Sequence, residues 1–230
     1  MAHKFDPSRA EILEDEARQQ WQDVDAVLEA GGIQEGLVCV DLGCGTGYFT
    51  LPLAKRVGPT GKVHALDVSP QMLGLLQEKL QAGNLPQVQA SIVSEPLQLQ
   101  LPEGSVDVVL VANTYHEFED RKGSLTEILR VLKPSVGRLL LTDWKKIPKG
   151  EGEPGPSAVE RVSQIEARKE LREVGYGRIV DAWEGKYHYQ LAAWAPSRRK
   201  REPERPRPPR EAPPPPPAEE PTPSPAPTDA

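Results

Sequence analysis

Three glycines alternate with other residues directly after a short apolar run, a pattern typical of a ligand-binding turn. The run spans residues 37–40, and the turn reads Asp41-Leu42-Gly43-Cys44-Gly45-Thr46-Gly47. Glycine lets the backbone approach a ligand without a Cβ in the way. The free N–H groups of a helix that begins here favour a negative or electron-rich group. The segment therefore predicts a site for such a ligand between a strand and a helix.

A second polar residue, Asp67, ends the next apolar strand, 20 residues after Gly47. An acid at this place can accept hydrogen bonds from both hydroxyls of a ribose, as in dinucleotide sites. A dinucleotide loop needs glycine or alanine at its sixth position, where this chain has Tyr48. Because a large side chain opposes close packing of the helix on the strand, NAD is disfavoured as the ligand.

The elements that must position these residues alternate between strands and helices. Strands are predicted over residues 37–40, 62–67, 88–93, 105–112 and 137–142, and helices over 10–30, 49–57, 70–82, 125–132 and 158–174. Two further strands, over 178–183 and 187–194, form a hairpin. This order predicts a Rossmann-like, doubly wound α/β fold with a mostly parallel seven-stranded sheet and an antiparallel C-terminal hairpin.

The glycine turn resembles the first motif of the class I S-adenosylmethionine-dependent methyltransferases. Four further segments resemble motifs of this family in the same order: Ala65–Met72, Leu101–Asp107, Leu129–Pro134 and Leu171–Tyr176. The segments are most similar to the small-molecule branch that includes the ubiquinone/menaquinone C-methyltransferases. The resemblance covers about residues 30–195. It implies an enzyme that uses S-adenosyl-L-methionine to methylate a small organic acceptor.

The resemblance also implies a role for individual residues at the cofactor. Asp41 and the turn with Gly43, Gly45 and Gly47 would hold the methionine part, and Asp67 would bind the ribose hydroxyls. For Asp67 the alternative is a cap on the following helix, although Ser69 already has the residue type of an N-cap.

Further residues are expected at the adenine and beside the transferred group. Val68 and Met72 would pack on the adenine, but the apolar helical face around Met72 fits core packing as well. Glu95 lies where the family often has an aspartate near the adenine amine, and it would have that role here. The alternative is that Glu95 is a solvated acid in a loop. Asn113 would also contact the cofactor, from the loop after the fourth strand.

The same loop carries the candidate catalytic residues. Methyl transfer requires alignment of the attacking atom and exclusion of water. A general base helps when the acceptor is a hydroxyl or an acidic carbon. His116 is the candidate base, because of its position and because histidine titrates near neutral pH. The alternative is that His116 serves only to hydrogen-bond the loop. Tyr115 is expected to line the acceptor pocket or to act on the acceptor.

The chain is predicted to consist of an N-terminal helical segment (1–35), a methyltransferase domain (36–196) and a Pro-rich disordered tail (197–230). The tail holds 13 of the 25 prolines and almost no apolar residues. The N-terminal segment could cover the cofactor as a lid or pack at the sheet edge. Both alternatives remain open at this point.

Composition limits the partners. The net charge of −6 argues against binding a nucleic-acid backbone, and the two cysteines are too few for a disulfide framework or a metal cluster. Without an apolar signal core or a long apolar stretch, we expect a cytoplasmic protein with no membrane span. The alternatives are the same chemistry on a protein or RNA acceptor, and a cofactor-binding module without catalysis. The oligomeric state is not predicted.

Overall fold

The computed structural model describes residues 5–197, so the predicted tail lies outside the described residues apart from Ser197. The strands are β1 (Val38–Leu42), β2 (Lys62–Asp67), β3 (Val88–Ile92), β4 (Val108–Ala112), β5 (Arg138–Trp144), β6 (Ile179–Glu184) and β7 (His188–Trp194). The helices are α1 (Val24–Ala30), α2 (Thr50–Val57), α3 (Pro70–Gly83), α4 (Arg121–Val131) and α5 (Gln164–Val174). Between residues 5 and 197, none of the helices has the length and apolar character needed to cross a membrane.

All seven strands join one sheet in the order β3-β2-β1-β4-β5-β7-β6. The first five strands along this order are parallel, and β7 runs antiparallel to both β5 and β6. The predicted fold class is therefore confirmed. The chain order reverses between β1 and β4, and ligands of open α/β sheets bind in the crevice at such a point.

The central strands are apolar because helices cover both faces of the sheet. All five residues of β4 are buried, and successive side chains point to opposite faces. Val109 and Val111 pack on the face that α4 and α5 cover. Val108 and Leu110 pack on the other face, with residues of α1 and α2. This double burial holds the carboxyl ends of β1 and β4 in fixed register.

The single N-terminal helix predicted over residues 10–30 is not formed. Two 3-10 segments, Pro7–Glu14 and Glu16–Gln20, precede the shorter helix α1. Each of the three pieces begins after an aspartate, Asp6, Asp15 or Asp23, whose side chain accepts a backbone N–H two or three residues on. Aspartate at such positions competes with a continuous helix, so the segment is divided into three pieces.

Two glycines, one in a crowded turn and one in an open part of a helix, allow a matched test of the fold. A Cβ at Gly137, in the turn before β5, would lie 2.5 Å from Lys133 N and 2.7 Å from Lys133 O. A Cβ at Gly74, inside α3, would meet nothing within 4 Å. We expect Gly137→Ala to lower the free energy of unfolding by about 1–3 kcal/mol, because backbone atoms would have to move. Gly74→Ala should raise it by about 0.5–1 kcal/mol, because alanine loses less entropy in a helix.

Urea denaturation monitored by circular dichroism measures both variants against the parent chain. The two changes should move the transition midpoint in opposite directions. A Gly137→Ala variant as stable as the parent would contradict the described turn.

Candidate functional site

The turn after β1 has the left-handed backbone that its glycines permit. Gly43, Gly45 and Gly47 have φ values of 76°, 52° and 95°. A Cβ at Gly43 would lie 2.3 Å from Thr114 Oγ1, and one at Gly47 would lie 2.6 Å from Leu76 Cδ1. These two positions therefore require glycine both for conformation and for the close approach of neighbouring elements.

Asp67 ties this turn to the end of β2. Its Oδ2 accepts a hydrogen bond from Gly45 N at 2.8 Å, and its Oδ1 accepts one from Ser69 N at 2.9 Å. The N-cap of α3 is Ser69, whose hydroxyl accepts from Met72 N at 3.3 Å. Each carboxylate oxygen of Asp67 has a second lone pair, so the side chain can still accept bonds from a ligand.

Asp41 lies buried beneath the turn as an acid with few partners. Thr50 Oγ1 donates to its Oδ2 at 2.6 Å. Burial raises the pKa of Asp41 to about 7, although the Thr50 hydrogen bond and the charge of Arg18 oppose the shift. A cation that arrives next to such a carboxyl would stabilise its ionised form.

The remaining predicted cofactor residues occupy different environments. The apolar side chain of Val68, next to Asp67, is 41% exposed to solvent. Met72, in contrast, is buried in α3. Glu95 lies exposed in the loop after β3. Asn113 ends β4 with a left-handed φ of 58°, and its side chain turns toward the N-terminal part of the chain.

Residues 5–23, which we call the strap, lie against the glycine turn. Glu14 forms an ion pair with Lys79 at 2.6 Å and also accepts a hydrogen bond from the Thr46 hydroxyl. Leu13 Cδ1 would be 3.4 Å from a Cβ at Gly45. The strap therefore contacts the turn through a hydrogen bond and an apolar side chain, and it contacts α3 through an ion pair.

A network of hydrogen-bonded polar side chains extends from the strap to the end of β4. The side chains of Gln22 and Asn113 form a reciprocal amide pair, with N···O distances of 2.9 and 3.1 Å. Arg18 Nε donates to Gln22 Oε1 at 3.0 Å, and its guanidinium lies 3.7 Å from the centre of the Tyr48 ring. Sequence reasoning missed Arg18 and Gln22, because polar residues in a polar segment give no local signal.

His116 and Asp143 form a hydrogen-bonded ionisable pair at the site. Asp143 is buried at the end of β5, and its Oδ1 lies 2.8 Å from His116 Nδ1. Its Oδ2 accepts a hydrogen bond from the backbone N–H of His116 at 2.9 Å. Burial alone would lower the pKa of His116, but the Asp143 carboxylate, with Glu117, raises it above the usual value. With its Nδ1 proton directed at Asp143, the neutral ring carries its free lone pair on Nε2.

Tyr115 does not lie where the sequence predicts it. The side chain is fully buried among core residues, and its hydroxyl donates to Glu170, which Arg121 contacts at 2.7 Å. Burial and the Glu170 contact raise the pKa of Tyr115. The residue therefore joins α5 to the sheet instead of lining an acceptor pocket. Tyr115 and His116 are adjacent in one 3-10 turn, so their side chains point to different sides.

An aromatic cluster closes the same edge of the sheet. It consists of Trp21, Trp144 and His188, with ring centroids 4.1 Å apart for Trp144 and His188 and 5.7 Å apart for Trp21 and His188. Within the described part of the chain, Thr142 Oγ1 in β5 and Gln190 Oε1 in β7 are buried without a hydrogen-bond partner. Burial lowers the pKa of His188 to about 3.

Comparison with known proteins gives consistent matches. A family model described as a methyltransferase domain matches residues 40–141. The ubiquinone/menaquinone biosynthesis C-methyltransferase UbiE of Pasteurella multocida is 33% identical over 123 residues, 52% of this chain and 44% of that protein. The demethylmenaquinone methyltransferase of Geobacillus stearothermophilus is 36% identical over 108 residues, 47% of this chain and 46% of that protein. The chain thus spans less than half the length of these curated relatives.

The match to a solved structure is more extensive. The crystal structure of a SAM-dependent methyltransferase from Aquifex aeolicus is 35% identical, with a TM-score of 0.74. The similarity covers 83% of this chain and 98% of that chain. Similarity in sequence and fold therefore extends well beyond the matched domain.

The electrostatics of the two site histidines can be measured directly. We expect His116 to titrate above 6.5, the ordinary value for histidine, because Asp143 stabilises its charged form. His188 should stay neutral down to below pH 5, because burial disfavours its charge. Chemical shifts of the ring signals, followed by NMR from pH 5 to 9, give the pKa of His116 and show whether His188 stays neutral over this range.

The variant Asp143→Asn should move the His116 titration to lower pH and leave that of half-buried His64 unchanged. A His116 pKa that is equal in the parent and the variant would show that the two side chains are not paired in solution.

Proposed function

The chain belongs to the class I S-adenosylmethionine-dependent methyltransferases, and we propose that it transfers a methyl group from S-adenosyl-L-methionine to a small organic acceptor. One observation carries this proposal. Two acids that can still accept hydrogen bonds from a ligand, Asp41 and Asp67, adjoin the glycine turn. The hydrogen-bonded pair of His116 and Asp143 lies at the ends of the neighbouring strands β4 and β5. These side chains lie at the carboxyl ends of the central strands, where the chain order reverses, which supports the proposal of a cofactor site beside a proton acceptor.

The residues present fit the cofactor. Buried Asp41, with its pKa near 7, is complementary to the ammonium of the methionine part. Asp67 has lone pairs left for the ribose hydroxyls, and exposed Val68 beside it offers an apolar surface to the adenine. Asn113 would contact the cofactor from the end of β4. The roles of Met72 and Glu95 at the adenine remain predictions from the sequence.

Each catalytic contribution can be assigned to a side chain. The bound cofactor supplies an electrophilic methyl group on a sulfonium sulfur. The strap would act as a lid that excludes water from this group. His116 Nε2 would take a proton from an acceptor hydroxyl or acidic carbon as the acceptor attacks. Asp143 would hold the ring in that orientation and stabilise the imidazolium that forms.

The curated relatives point to a class of acceptor. The curated relatives are named for ubiquinone, menaquinone and demethylmenaquinone. We therefore propose a ring compound with oxygen substituents. A cytoplasmic location and the lack of a nucleic-acid partner remain predictions.

Calorimetric titration tests the cofactor. We expect S-adenosylmethionine and S-adenosylhomocysteine to bind with micromolar affinity, and NAD not to bind. Asp67→Ala should weaken both adenosyl ligands by about 1–3 kcal/mol, because ribose hydroxyls would lose a charged partner. The control Ser69→Ala removes the cap of α3 without touching the ribose site and should keep the affinity. An Asp67→Ala variant that binds as tightly as the parent would contradict the ribose assignment.

Transfer of a labelled methyl group tests the reaction. The parent chain should label small phenols or quinols and leave mixed RNA and unfolded protein unlabelled. His116→Asn should lower kcat by about 100-fold or more with a smaller change in KM, because proton removal is lost. The control His64→Asn should retain the parent rate. Labelling of RNA or protein alone would favour a macromolecular acceptor, and cofactor binding without any transfer would favour a binding module.

A further inference from the structure

Arg18 is a buried cation that the residues described in the structure leave incompletely paired. Only 6% of its surface is exposed. Its Nε donates to Gln22 Oε1 at 3.0 Å, and its Nη1 donates to the Leu13 carbonyl at 3.2 Å. Arginine has five N–H donors, and these bonds to described residues use two of them, both to uncharged oxygens. Because the side chain is largely removed from water, an anion that binds its remaining donors would be favoured.

The nearby acids are engaged with other partners. Glu14 pairs with Lys79 at 2.6 Å and accepts from Thr46, and Asp41 accepts from Thr50 at 2.6 Å. Burial lowers the pKa of Arg18 to about 10, against the opposing influence of Tyr48, Glu14 and Asp41. The guanidinium is therefore held in place mainly by the Tyr48 ring and by neutral oxygens. Its position would be stabilised by an anion from outside the chain.

The position of Arg18 indicates which anion this is. Its partner Tyr48 directly follows the glycine turn, and its partner Gln22 is bonded to Asn113 at the end of β4. Asp41 lies beneath the same turn, close enough for its charge to influence Arg18. The site thus presents one buried cation and one buried acid near each other. An α-amino acid group, with its carboxylate and its ammonium, is complementary to both.

We propose that Arg18 binds the α-carboxylate of the cofactor's amino-acid part while Asp41 faces its ammonium. This inference rests on the proposed function, because it deepens the description of the same cofactor site. It also gives the strap a role in recognition. A ligand that carries the carboxylate would complete the bonding of Arg18 and hold the strap on the turn, whereas a ligand without it would not.

Two ligands that differ only in this carboxylate provide the test. S-adenosylmethionine carries it, and decarboxylated S-adenosylmethionine keeps the ammonium, the sulfonium and the adenosine without it. Calorimetry with the full chain, with no acceptor present, should show that the parent binds the decarboxylated ligand about 10- to 100-fold more weakly. Arg18→Met should weaken S-adenosylmethionine by about the same factor and change the affinity of the decarboxylated ligand by less than about twofold.

Methionine at this position keeps an apolar side chain of similar length against the Tyr48 ring. The matched control is Arg56→Met, because Arg56 is an arginine of α2 paired with exposed Asp25 at 2.8 Å, away from the turn. Its affinities for both ligands should equal those of the parent. If Arg18→Met does not fold, the comparison of the two ligands on the parent chain still decides whether a carboxylate site exists.

Each contrary result has its own meaning. Equal affinity of the parent for the two ligands would overturn the carboxylate site. An Arg18→Met variant that weakens both ligands equally would show that Arg18 only ties the strap to the turn. A variant that keeps the parent's preference for S-adenosylmethionine would assign the carboxylate to another residue. Failure of the parent to bind either ligand would overturn the proposed function, and this inference with it.

Discussion

The hydrogen bond from Gly45 N to Asp67 Oδ2, at 2.8 Å, is the contact on which the site depends. It joins the turn after β1 to the end of β2, and the neighbouring bonds from Gly43 N and Cys44 N to the Leu66 carbonyl reinforce it. Because one carboxylate both fixes the turn and keeps lone pairs for a ligand, the shape of the turn and the ribose site cannot vary independently. The strap then packs on a turn whose conformation is already set.

Electrostatic pairing explains how several charges remain buried at one edge of the sheet. Asp143 raises the pKa of His116 above its usual value, so the carboxylate supports the charged form of a ring that burial would otherwise keep neutral. Asp41 and Arg18 each lack a full counterion within the described chain, and burial shifts the pKa of each toward its neutral form. A ligand with one ammonium and one carboxylate would relieve both. The chain would therefore gain stability on binding, by an amount that rises with the logarithm of the ligand concentration divided by Kd.

The sheet, the glycine turn and the position of Asp67 could be predicted because their signals are local. Apolar runs that alternate with helical patterns predict the strands, and the spacing of the glycines predicts the turn. The contacts of Gln22 with Asn113 and of His116 with Asp143 could not, because they join residues 91 and 27 positions apart along the chain. Tyr115 illustrates the same limit, since only tertiary packing decides which side of the turn it faces. The N-terminal helix was predicted wrongly because two aspartates within its range, Asp15 and Asp23, cap new segments and override an apolar periodicity.

A crystal structure of the complex with S-adenosylhomocysteine would test the central claim most directly. We expect the ligand in the crevice at the carboxyl ends of β1, β2 and β4, beneath the strap, with both ribose hydroxyls within hydrogen-bond distance of Asp67. The ligand at any other place, or in the crevice with Asp67 bonded only to Gly45 and Ser69, would contradict it.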